Sequence, residues 1–119
     1  MNPVMSQRIR NRVIDCLEIA ADESKQDAFG PDGVVNLWED WRGAALGPPP
    51  ISSLTPDELA AVYAFDAMWV ALAEGTSNPM PALAELRQIP LWQSFVAAAR
   101  CALAELSQVG RLPEDRPVA

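Results

Sequence analysis

TPDELAAVYAFDAMWVALAEG, residues 55–75, carries the fullest set of helix signals in the chain and decides its fold class. Thr55 is a natural N-cap, Pro56 suits the first helical position, and Glu58 completes a T-x-x-E capping box. Asp57 and Glu58 place negative charge where the helix dipole favours it, and Gly75 offers a stop. Leu59, Val62, Tyr63, Phe65, Met68, Trp69, Val70 and Leu72 cover more than half of the circumference. Ala60, Ala64, Ala67 and Ala71 fill the remaining side. A helix apolar on nearly every side is expected inside a bundle. The reading is therefore an all-α fold, an irregular bundle of four to five helices around a central apolar helix at about 56–74.

The stretches before it are consistent with that class. Ile9, Val13, Cys16, Leu17 and Ala20 form one helical stripe over 6–21, with Ser6 as N-cap and Asn11, Asp15, Glu18 and Asp22 turned outward. Residues 22–33 are polar and end in FGPDG, which reads as a break. Asp32 is then the expected N-cap of a short helix. Its apolar face is Val34, Leu37, Trp38 and Trp41, and Asn36, Glu39 and Asp40 lie opposite. Pro48, Pro49 and Pro50 exclude helix and predict a stiff connector.

Beyond Gly75, TSNP marks a turn, and a short helix is expected over 82–88 until Pro90 intervenes. Pro90 opens a final amphipathic helix ending near Val109 with Gly110 as its stop. Its stripe is Leu91, Trp92, Phe95, Val96, Ala99, Ala102, Leu103, Leu106 and Val109. One domain over 1–110 is expected, followed by a charged, proline-broken tail at 111–119 that reads as disordered.

Composition narrows the function. The chain has 119 residues, is half hydrophobic, and carries a net charge of −7. An acidic surface argues against direct nucleic-acid binding and against docking on anionic lipid. Arg8, Arg10 and Arg12 hold three of the nine basic residues. The simplest expectation is that they pair with acidic residues of neighbouring helices. Cys16 and Cys101 are too far apart and too few for a disulfide scaffold. With no apolar run of membrane-spanning length and no continuous apolar leader, a cytoplasmic location and no membrane association are expected.

There is no histidine. That removes Ser-His-Asp and Cys-His catalysis, histidine metal ligands and the commonest general base. No glycine-rich nucleotide cradle is present, and adjacent carboxylates on a helix do not share a face. No cofactor and no metal are expected, and the chain reads as non-enzymatic.

Three residues stand out as interaction candidates. Asp66 falls inside the apolar arc of the 56–74 helix, where a carboxylate needs a partner such as Arg42, Arg87 or Arg100. Trp38 and Trp41 both sit on a two-turn helix that has little surface to bury them. Core packing is expected for Trp69 and Trp92.

The leading functional expectation is a non-catalytic protein–protein interaction module with an unidentified protein partner, expected to be basic. Its concrete form is a bacterial immunity- or antitoxin-type inhibitor. A self-associating structural protein, with a homodimer through the alanine side of the 56–74 helix, is the alternative. A small-ligand or carboxylate enzyme near Asp66 and Tyr63 ranks last.

Overall fold

The computed structural model describes residues 1–118. Five α-helices are present among them: α1 Pro3–Ala21, α2 Glu23–Leu46, α3 Pro56–Gly75, α4 Leu83–Leu86 and α5 Pro90–Ser107. The fold is an all-α bundle in which α1 packs on α2 and α5, and α5 also packs on α3. One core unites all five helices, from Ile9 and Leu17 through Trp38 and Phe65 to Phe95 and Leu106. Trp38 meets Phe65 edge-on at 5.3 Å, Phe65 stacks on Phe95 at 5.1 Å, and Trp92 tilts against Phe95 at 5.4 Å. These offset and edge contacts are the geometries that ring quadrupoles favour.

Helix α3 has the capping box its sequence announces. Thr55 accepts from the Glu58 amide at 3.2 Å, and Glu58 accepts from the Thr55 amide at 2.8 Å. Its enclosure is one-sided. Val62, Phe65, Trp69 and Leu72 are buried, whereas Ala60, Ala64 and Ala67 are exposed, and Tyr63 keeps 45% of its surface in solvent.

Helix α1 is the more enclosed element, and four of its buried residues are polar: Ser6, Gln7, Arg10 and Asn11. The helix begins at Pro3 with Asn2 as its cap, so Ser6 is freed from the capping role expected of it. Its hydroxyl instead donates to Ser53 and accepts from the Ser53 amide. Arg10 is 1% exposed and forks onto Glu58 at 2.6 and 2.8 Å. It donates further to the carbonyls of Ser53, Leu106 and Gly110. A buried guanidinium persists only when its donors are satisfied in this way.

Burial pushes the Glu58 carboxyl toward a higher pKa. Hydrogen bonds from Arg10 and Thr55, with the Arg10 charge, outweigh that and hold it below the usual carboxylate range.

Two local expectations are corrected. Residues 23–29 are helical, because Asp22 caps α2 by accepting from the Lys25 amide, and buried Gln26 donates to the Ala20 carbonyl. The break expected at FGPDG is found as a kink that divides α2: Gly30 adopts φ 76° and ψ 164° ahead of Pro31. The residue before a proline is pushed out of the helical region, and glycine alone takes this φ without strain. Asp32 is therefore no N-cap; its carboxylate accepts from the Met80 amide.

The second correction concerns the tail. Its described part, 111–118, lies along α1 rather than leaving the fold. Asn11 bonds Leu112 through both the backbone amide and the carbonyl, and Gln7 donates to Pro113 and Arg116 and accepts from Val118. Arg111 pairs with Asp15 and Glu18. Asn11, expected to face outward, is 2% exposed under this strap.

Candidate functional site

The three interaction candidates fall into two places. Trp38 and Asp66 come together at the contact of α2 with α3. Arg42, one helical turn beyond Trp38, forks onto the Asp66 carboxylate at 2.8 and 3.0 Å, and the Trp38 indole N–H donates to it at 2.9 Å. The Arg42 guanidinium also lies 4.6 Å from the Trp69 ring centre, a cation–π distance. Trp69 in turn donates to the Val35 carbonyl at 2.9 Å. The hydrogen bond and charge of Asp66 raise the pKa of Arg42.

The cluster is fully engaged. Trp38 is buried, Asp66 retains 14% of its side-chain surface, and both carboxylate oxygens have donors. A hollow of about 340 Å³ lies beside it, bordered by Arg42, Leu46, Pro48, Tyr63 and Asp66. Tyr63 spends its hydroxyl proton on the Leu46 carbonyl. With both oxygens of Asp66 taken up by donors of α2, this geometry ties α2 to α3.

Trp41 is elsewhere. The kink in α2 and its juxtaposition with α1 leave Leu37 and Trp41 only partly covered. Together with Ile19 of α1 and Phe29, which is 52% exposed, they line a groove of about 440 Å³. Arg12, Asp15, Glu18 and Lys25 also line it. Asp40 is exposed next to Trp41 and makes no ion pair among the described residues. Sequence reasoning found Trp41 but missed Phe29 and Ile19. Phe29 was hidden in a segment read as a break, and Ile19 lies off the main stripe of α1.

The two thiols differ. Cys16 is buried, and desolvation with the nearby Asp15 and Asp40 charges pushes its pKa up to about 12, so it is no nucleophile. Cys101 is exposed, as its place on the polar side of α5 predicts.

No cluster of three or more Cys, Asp or Glu side chains placed to hold a metal ion occurs among the described residues. No helix among them is long and apolar enough to cross a membrane. The described residues thus form an acidic all-α bundle with an aromatic groove between α1 and α2 and an engaged Arg42–Asp66 pair between α2 and α3. Comparison of the chain with family models, curated proteins and solved structures found no match.

Proposed function

We propose that this chain is a non-catalytic interaction module that docks a basic protein partner in the groove of Ile19, Phe29, Leu37 and Trp41. The observation that carries the reading is the partial exposure of two aromatic side chains in one concave apolar surface. Buried aromatic anchors surrounded by polar groups supply most of the energy at protein interfaces. The net charge of −7 and the carboxylates of Asp15 and Glu18 at the groove favour a partner with lysine or arginine around its apolar anchor. An immunity- or antitoxin-type inhibitor is the concrete form of this reading.

The test is affinity capture from the native host with wild type and Trp41→Ala in parallel, with bound proteins identified by mass spectrometry. The proposal expects one stoichiometric basic protein that wild type retains and Trp41→Ala loses, with the circular dichroism spectrum unchanged. Equal retention by both would reject the groove.

Self-association is the second reading, favoured by the exposed Ala60, Ala64 and Ala67 on α3. A strict monomer by light scattering at high concentration would remove it.

A further inference from the structure

Arg111 ties the strap to the α1 wall of the aromatic groove. Its guanidinium pairs with Asp15 at 2.8 Å and with Glu18, and it donates to the Asn11 carbonyl at 3.2 Å. Asp15 and Glu18 also line the groove, and their side chains keep 38% and 34% of their surface in solvent. The same two carboxylates therefore serve the strap on one side and the groove on the other. The remaining charges of the lining are Arg12 and Lys25. Arg12 bridges Asp15 at 3.1 Å and Glu114 of the strap at 3.0 Å. Lys25 makes no ion pair among the described residues. Arg12 is thus answered by Glu114, and a cation entering the groove would meet two carboxylates that Arg111 already holds.

The strap does not depend on Arg111 for its place. Gln7 and Asn11, both 2% exposed, hold it through Leu112, Pro113, Arg116 and Val118. The Arg111 side chain keeps 44% of its surface in solvent, and an ion pair between groups so exposed is weakly held. We propose that Arg111 is an internal competitor for the groove. It occupies the carboxylates that a lysine or arginine of the docking partner would use, and the partner's cation displaces it while the rest of the strap stays seated. This rests on the groove being the docking site. It adds a threshold to that site: a partner gains from its charge only what exceeds the pairing that Arg111 gives up.

Benzamidinium, an aromatic ring bearing an arginine-like fork, is the probe, and benzamide is its uncharged counterpart. Each is titrated at constant ionic strength into ¹⁵N-labelled wild type and Arg111→Gln, following the indole N–H signal of Trp41 assigned through the backbone. Arg111→Gln should bind benzamidinium about threefold or more tightly than wild type, as expected for removal of a part-exposed ion-pair competitor. It should bind benzamide no differently. The gain should vanish when Asp15→Asn and Glu18→Gln are added, because neither carboxylate is then left to accept the cation. Equal benzamidinium affinities of wild type and Arg111→Gln would overturn the competition and leave the groove standing. A gain shared by benzamide would overturn it too, by showing that the substitution loosens the strap rather than frees a charge. A Trp41 signal that moves with neither compound in either protein would count against the groove itself, and the competition would fall with it.

Discussion

At the scale of single residues, the polar groups that are engaged and the thiol that is accessible can each be tested. The Arg10–Glu58 pair is the most enclosed charge pair described in the chain. Glu58→Gln leaves the guanidinium buried without its countercharge, and should lower the unfolding free energy by about 3–5 kcal/mol in urea denaturation at neutral pH. The folded Glu58 carboxyl lies below its ordinary value of 4.5, so its contribution is complete above that pH. It is lost as pH falls through the lower folded value. The gap between wild type and Glu58→Gln should therefore narrow in acid, and a constant gap would contradict the assignment. The cysteines offer a simpler check. Iodoacetamide at pH 8 should label the folded protein at Cys101 and spare Cys16, and should label both after denaturation. Modification of Cys16 in the folded state would contradict its burial.

At the scale of elements, Asp66 and the tail decide how helices are joined. Asp66→Asn removes the charge that Arg42 and Trp38 both address. A loss of about 1–3 kcal/mol is expected, read by thermal or urea denaturation. Unchanged melting with lost partner binding would make Asp66 a docking residue instead. Ending the chain at Gly110 strips partners from Gln7 and Asn11, each of which makes several bonds to the strap. That truncation should cost about 2 kcal/mol or more. No change in the urea midpoint would show that the strap adds nothing. These elements also mark how far the sequence could be read. The capping box at Thr55, the stripe of α5 and the stop at Gly110 are local signals, and all three are found, except that Val109, expected to close the stripe, lies beyond the helix and is 60% exposed. The strap was not legible because its composition signals disorder, while its stability comes from Gln7 and Asn11, roughly a hundred residues away. The start of α2 was missed for the opposite reason. Its helix forms on the strength of Asp22 and a buried Gln26, although the segment shows no apolar periodicity. Of the candidate residues, Asp66 could be recognised as needing an arginine. Only the fold selects Arg42 over Arg87 and Arg100, and only the fold separates Trp41 from Trp38.

At the scale of the whole molecule, a net charge of −7 surrounds an apolar groove. The two features do different work in association. On the proposed reading, long-range attraction would speed encounter with a basic partner, and burial of Phe29 and Trp41 would slow release. Once the partner is in hand, raising salt from dilute buffer to about 0.5 M should slow association by roughly tenfold or more, with a smaller effect on dissociation. Trp41→Ala should act mainly on dissociation. Salt-insensitive association would separate the charge from the binding. The most direct measurement is photo-crosslinking in the native host, with benzoylphenylalanine placed at position 29 in the groove and, as a control, at exposed Ser94 on α5. The account predicts a single adduct with a basic protein from position 29 and none of that mass from position 94. No adduct from position 29, or the same adducts from both positions, would contradict it.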